Sequence, residues 1–298
     1  MPTRGLWTRG CDMRYTNKLC LPRAMVKAVE RDGHRQADFS VTQMLKGATE
    51  IALERMFPDK LEMDVADAVN MMLGSAVHRL FEEQETENVL NEHYMEADVY
   101  AGFTVSGTAD VLDLAIEECI DYKTCASWKV IYKDFDDWRK QGKGYLWLWF
   151  METGKLWHKA RFIALIKDWS PTEAKRDRNY PQSPIVSIRF EYSDAEIFGV
   201  QEEWTEKIIE VLQKLVSQDF GCCSAEERWA KPTQWALMKE GNKKALKLYD
   251  NEADAIEAKG DDPKLYVEER KGRDVKCESY CVAGKCGLCP YRNAKEDI

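Results

Sequence analysis

The chain has 298 residues, 44% apolar and 32% charged, with ten tryptophans. That composition excludes a globally disordered chain and suits one elaborated domain with an appendage better than two equal domains. The net charge of −9 excludes sequence-independent adhesion to nucleic acid through overall charge, which relies on an excess of Lys and Arg. Basic residues do cluster locally, at Lys133/Arg139/Lys140/Lys143, Lys175/Arg176/Arg178, Lys243/Lys244/Lys247 and Lys271/Arg273/Lys276, where the plain reading is a solvated face.

Residues 1–38 show weak periodicity and are expected to form an N-terminal arm. Their start, Met1-Pro-Thr-Arg-Gly-Leu-Trp-Thr-Arg9, has no apolar core of signal-peptide length. From Phe39-Ser-Val-Thr-Gln43 the pattern sharpens: Ser40 or Thr42 caps a helix carrying Met44, Leu45, Ile51 and Leu53, which Pro58 ends. A second helical stretch, roughly 64–89, places Val65, Val69, Met72, Val77, Leu80 and Phe81 at helical intervals. Within it, four-residue spacing puts His78 and Glu82 on one face. Strands are expected at about 94–102, 104–114, 118–124, 159–167 and 185–192. Between the third and fourth lies a helix in which Gln141 and Tyr145 repeat the four-residue spacing. Its run Tyr145-Leu-Trp-Leu-Trp-Phe150 is apolar enough to pack on a sheet and too short to span a bilayer. The expectation is a soluble, cytoplasmic protein with no membrane partner. Residues 194–218 read as helix, as do the charged residues 226–258 with Trp229 and Trp235 as anchors.

The chemistry gathers around Ser106-Gly-Thr-Ala-Asp110 and Ile120-Asp-Tyr-Lys-Thr124. A turn at Ala115 to Glu118 makes the second and third strands a hairpin that brings Asp110 beside Asp121. Alternation then sends Asp121 and Lys123 to one side of the sheet and Ile120 and Tyr122 to the other. Two carboxylates with an ammonium group one pleat away can hold a hard divalent cation and place charge near a reacting phosphate. Singly, each signal has a plain reading. An Asp-x-Lys is usually a surface pair, and Glu82 beside Glu83 and Glu85 resembles a charged helix surface.

Taken in order, Gly74-x-x-x-His78-x-x-x-Glu82, Gly107-x-x-Asp110, Asp121-x-Lys123 and Gln141-x-x-x-Tyr145 resemble the PD-(D/E)XK nucleases of the RecB type, a group that includes CRISPR-associated and phage recombination exonucleases. The resemblance spans about residues 39–195. It implies an α/β (α+β) fold with a restriction-endonuclease-like core, a central mixed β-sheet flanked by helices. It also implies a metal-dependent deoxyribonuclease, an exonuclease acting at DNA ends in recombination or repair, in a bacterial or phage-infected cell. Its substrate is linear DNA, duplex or single-stranded, and a single-strand annealing protein is a candidate recombination partner. Mg2+ or Mn2+ is then held by Asp110, Asp121, His78 and the backbone carbonyl of Tyr122. Lys123 is catalytic, Glu82 ligates or orients, and Gln141 and Tyr145 contact phosphate or brace the site. The acidic residue of the central motif is Asp121 where the family more often has Glu. A catalytically inactive DNA- or protein-binding relative is the competing reading, and a metal-binding interaction module with accidental motifs is a third.

The tail carries Cys277, Cys281, Cys286 and Cys289 within its last two dozen residues. So close a set in a reducing compartment points to thiolate ligation of a metal rather than to disulfides. Zinc or a [4Fe–4S] cluster satisfies the four thiolates, and a cluster can also use three of them with Cys20 or Cys11. Family members with a cluster place one cysteine in the helix before the His motif, where this chain reads Met44-Leu-Lys-Gly-Ala-Thr49. Cys222 and Cys223 read as buried or incidental. The expected organisation is an arm (1–38), a nuclease core (39–195), a helical extension (196–270) and a cysteine-stapled metal-binding tail (271–298).

Overall fold

In the computed structural model, residues 13–30, 37–82, 84 and 87–296 are described. The expected arm therefore lies partly outside them, with Cys11. What is described of the arm includes a short helix, Arg23–Val29, whose Val29 packs with Val65 and Ala68. The chain forms two compact units that divide between Asp219 and Phe220.

The first unit is built on a mixed six-stranded sheet. Its strands are β1 (Phe39–Ser40), β2 (Val89–Tyr100), β3 (Phe103–Asp113), β4 (Glu118–Cys125), β5 (Lys159–Ile166) and β6 (Ile185–Glu191). The order is β1-β3-β4-β5-β6, and β2 pairs along the remaining edge of β3. The β1–β3 and β4–β5 pairs are parallel and the others antiparallel. Apolar alternation such as Ala160, Phe162, Ala164 and Ile166, all buried, turns one face of the sheet to the core. Glu118 is buried at the start of β4, where Arg161 of β5 at 2.7 Å and Arg189 of β6 at 2.8 Å neutralise it. A buried carboxylate tolerated only with both partners ties three strands in one register.

The longest helices of this unit are α1 (Ala48–Met56), α2 (Val69–Glu82), α3 (Asp136–Thr153) and α4 (Asp194–Ser217). Tyr145 to Trp149 of α3 are all buried, because the helix is covered on more than one side. Trp138 stacks on Phe162 of the sheet at 5.7 Å, while Trp147 and Phe150 meet Trp204 and Phe198 of α4 at 5.3 and 5.2 Å. Enclosure on more than one side accounts for the consecutive apolar residues in the second half of this helix. No helix among the described residues is long and apolar enough to cross a membrane.

The helix expected from Ser40 to Pro58 is broken in two. Ser40 does cap, accepting from Gln43 N while Gln43 Oε1 accepts from Ser40 N, but only the turn Val41–Met44 follows before α1 begins after Gly47. Lys207 of α4 donates to Met44 O at 2.9 Å and Lys46 O at 2.8 Å, satisfying the carbonyls that the break leaves open.

The second unit corrects the expected helix at 226–258. Those residues contribute to a three-stranded antiparallel sheet, ordered β8-β7-β9, of β7 (Gln234–Lys239), β8 (Lys247–Tyr249) and β9 (Leu265–Arg270), with only α5 (Glu252–Lys259) helical between the last two. Gly241, at φ +82°, turns the chain after β7. Leu237 and Met238 are buried against partners from β9, and that long-range pairing overrides the local charge pattern. The tail follows as three short helices, α6 (Val275–Ser279), α7 (Val282–Lys285) and α8 (Pro290–Glu296).

Candidate active site

The central strand β3 changes partner along one edge. It pairs with β1 as far as Ser40↔Ser106 and with β4 only from Val111↔Ile120 onward. The stretch between is Gly107-Thr-Ala-Asp110, so the Gly-x-x-Asp motif occupies a window with no strand partner on that edge among the described residues. There β3 and β4 splay apart, and the Asp110 side chain takes over a ladder contact by accepting from Tyr122 N at 2.7 Å. Asp110 and Asp121 face each other at the mouth of this fork.

Each side chain arrives from a different element. Asp121, 2% exposed, accepts from Gln141 Nε2 at 3.2 Å, and its Oδ2 lies 2.7 Å from Lys123 Nζ. That pair is an ion pair by distance, and Oδ2 accepts no aligned hydrogen bond among the described residues. Gln141 Nε2 also donates to Tyr145 Oη at 2.9 Å one turn along α3. Tyr145 comes close because residue 107 is glycine: a Cβ there falls 2.7 Å from Tyr145 Cε1 and 2.8 Å from Val41 Cγ2. On the other side, α2 packs Phe81 on Tyr122 at 4.5 Å and directs His78 Nδ1 to Asp110 Oδ1 at 3.1 Å.

His78, Asp121, Asp110, Lys123, Gln141 and Tyr145 line one cleft of about 730 Å³. Hydroxyl groups of Ser40, Thr42, Tyr94, Ser106 and Thr108 line it too. The structure does not bring Glu82 there; it is exposed at the end of α2. Helical spacing aligned Glu82 with His78, but the helix axis carries it a turn away from the fork. The backbone amide of Tyr122 donates to Asp110 and its ring packs on Phe81 of α2, which fixes the strand beside the two carboxylates.

Sequence reasoning missed Glu92. Its Oε1 lies 3.8 Å from His78 Nδ1, and His78, Glu92 and Asp110 each offer a ligand atom within 4.8 Å of the others. Glu92 stands opposite Asp110 in the β2–β3 ladder, between the pairs Asn91↔Val111 and His93↔Ala109. Its backbone adopts φ +46°, a left-handed conformation uncommon for a non-glycine residue. The available signal was Asn91-Glu-His93, three polar residues leading into a strand that was expected to begin only at 94.

Crowded carboxylates set the protonation of the cleft. Hydrogen bonding to Asp110, then to Glu92, pushes His78 up to about 10 from an ordinary 6.5, so the metal-free site holds an imidazolium at neutral pH. Burial pushes Asp121 up to about 6, Asp110 adds to the rise, and Lys123 opposes it. Burial also raises Tyr145, which keeps its hydroxyl proton. The donor set of carboxylates and one imidazole, with a buried Oδ2 lacking an aligned partner, fits a hard or borderline divalent cation.

In the second unit Cys277, Cys281, Cys286 and Cys289 are thiols. Cys281 Sγ caps α7, accepting from Gly284 N at 3.3 Å. Among the described residues no three cysteine sulfurs lie within 4.8 Å of one another, as four ligands about 2.3 Å from one zinc ion must. Thiolates on separate iron corners of a cluster need no such crowding.

No protein-family model matches the sequence, and no curated protein matches it. Among solved structures the chain is similar to SSO0001, at 14% identity and TM-score 0.43 over 66% of this chain and 83% of that one. It is similar to an alkaline exonuclease (LHK-Exo) from Laribacter hongkongensis, at 14% identity and TM-score 0.38 over 60% and 90%. A phage-related exonuclease from Haemophilus somnus 129PT gives 12% identity and TM-score 0.32 over 60% and 95%.

Proposed function

We propose that the chain is a divalent-metal-dependent deoxyribonuclease acting at DNA ends. The observation that carries this reading is the fork itself: Asp110 and Asp121 meet where β3 and β4 separate, with Lys123 Nζ 2.7 Å from Asp121. Asp110, Asp121, His78 and Glu92 are the residues that would hold Mg2+ or Mn2+. The bound ion would supply an activated water and stabilise charge on the phosphorane-like transition state. Lys123 brings a cation to the same spot and stabilises that developing charge electrostatically. Gln141 holds Asp121 by one hydrogen bond and Tyr145 by another, and the Tyr145 proton is free to meet a phosphate oxygen. The hydroxyls of Ser40, Thr42, Ser106 and Thr108 suit the phosphates of an entering strand, where neutral donors position without charge. The tail thiols would carry a metal that staples the second unit, zinc or an iron–sulfur cluster.

The test is digestion of linear DNA labelled separately at each 5′ and 3′ end, with Mg2+ or Mn2+, by wild type, Lys123→Ala and Asp121→Ala. Metal-dependent loss of an end label in wild type alone supports the nuclease and gives its polarity. Equal inertness of all three proteins, with DNA still bound, would replace it with a binding factor of the same fold.

A further inference from the structure

In the second unit a bulky side chain stands at the surface on strained backbone. Trp229 has φ +52°, a left-handed conformation that is a genuine outlier for so large a residue, and the residues on both sides of it are pinned. Arg228 O accepts from Lys276 N at 3.1 Å, and Ala230 N donates to Ala225 O at 2.9 Å. The Arg228 guanidinium donates to Tyr291 Oη at 2.7 Å and to Asp274 Oδ1, whose side chain is 7% exposed, so the surroundings over-determine the strain. Held this way, the indole is 50% exposed and sits 5.2 Å from the ring of Tyr280, itself 58% exposed. Lys276, four residues before Tyr280, lies over the indole at 5.9 Å.

Cations adjoin these rings. The two-residue strands Ala230–Lys231 and Arg273–Asp274 pair antiparallel, with Lys231 directly opposite Arg273. Like charges so placed are destabilising. Glu278 neutralises Arg273 at 2.8 Å, while among the described residues no ion pair neutralises Lys231 or Lys271. Gly272 locks the arrangement. Its amide donates to Thr233 Oγ1 at 2.9 Å, and a Cβ on it falls 2.7 Å from Lys231 O and 3.0 Å from Thr233 N. Lys271 and Arg273, on either side of that glycine, are thereby held beside the strand of Lys231. Trp229 is two residues from Lys231, at most about 7 Å of backbone.

We propose that this face of the second unit is a docking site for single-stranded DNA, in which an unpaired base stacks on Trp229 and Tyr280 and the adjoining phosphates meet Lys231 and Lys271. Exposed rings beside cations suit a strand whose bases are free, whereas a duplex keeps its base faces stacked on one another. Two rings offer far less than the roughly 800 Å² per partner that a stable protein interface buries, but one ring matches one base. A phosphate between Lys231 and Arg273 also relieves the repulsion that the unliganded face carries. The choice of DNA rests on the nuclease reading above; the site itself uses none of the cleft residues.

The full-length chain, in chelator so that no metal-dependent cleavage occurs, is titrated by fluorescence anisotropy with a labelled oligothymidylate and with a blunt duplex of the same length. Trp229→Ala and Tyr280→Ala should each weaken single-strand binding by roughly 5–150-fold, the loss of one base stack, with duplex binding unchanged. Trp229→Phe, which keeps a ring, should stay within about threefold of wild type. Lys231→Gln combined with Lys271→Gln should lower the slope of log affinity against log salt by about 1.4, two phosphate contacts on a single strand. On wild type, a strand carrying iodouracil should crosslink under ultraviolet light at Trp229 or Tyr280. Folded Trp229→Ala and Tyr280→Ala proteins with wild-type single-strand affinity overturn the proposal, as do crosslinks confined to other residues. Equal weakening on duplex also overturns it, since the ring then has a structural role. Should the variants not fold, the crosslinks on wild type decide. Wild type that binds no single strand overturns the proposal and leaves the nuclease reading to the end-label digestion. Single-strand binding that Trp229→Ala loses, by a protein that cleaves no DNA with either metal, upholds the site and removes the nuclease reading.

Discussion

Alanine at position 107 tests the fork most directly. Its methyl carbon falls 2.7 Å from Tyr145 Cε1 and 2.8 Å from Val41 Cγ2, where carbon atoms rest about 3.5–4.0 Å apart. Each contact must therefore open by roughly 1 Å, and both neighbours are buried, Val41 at 1% and Tyr145 at 5% exposure. Overpacking of this kind costs about 1–3 kcal/mol. The functional loss should be larger than that suggests, because Tyr145 moves with Gln141, which holds Asp121 at 3.2 Å. A displacement of about 1 Å in a catalytic group costs on the order of 100-fold in rate. Urea denaturation of Gly107→Ala, beside its rate on end-labelled DNA, measures both. Adding Val41→Ala relieves one clash and should recover part of the stability, with the rate still low because the Tyr145 contact persists. Wild-type stability together with wild-type rate in Gly107→Ala would refute the reasoning.

Three further outcomes follow from the charges around His78. In chelator, the elevated His78 contributes stability that is complete below its ordinary 6.5 and is lost as pH rises through about 10; the melting temperature should fall over that window in wild type and stay nearly level in His78→Gln. Mn2+ binding near pH 7.5 should release about one proton, because imidazolium must become neutral imidazole to ligate. Calorimetry in buffers of different ionisation enthalpy reads that proton, and its presence in His78→Gln would count against the assignment. Glu92→Gln should weaken Mn2+ binding by about 10–100-fold, the range for groups that bind or orient at a metal site, whereas Glu82→Gln should bind as wild type does. The reverse ranking would restore Glu82 to the site.

Much of the cleft can be read from local rules. Two-residue alternation places Asp121 and Lys123 on one side of β4, and four-residue spacing lines up Gln141 and Tyr145 on α3. A turn near Ala115 is enough to bring Asp110 toward Asp121. These are short-range consequences of strand and helix geometry, and the chain carries them without reference to anything distant. The same rules misplace Glu82, since they align it with His78 but do not say where the helix points.

The place of Glu92 in the site and the sheet formed by β7, β8 and β9 depend on pairing between segments far apart in sequence. Glu92 meets His78 only because β2 runs the length of β3. Residues 234–239 are a strand only because Leu265–Arg270 lies beside them. Local sequence pattern carries the faces of the strands and helices and the chemical types of the donors. Tertiary structure alone decided which donors share a site, because the contacts that gather them are made across distances that no local periodicity encodes.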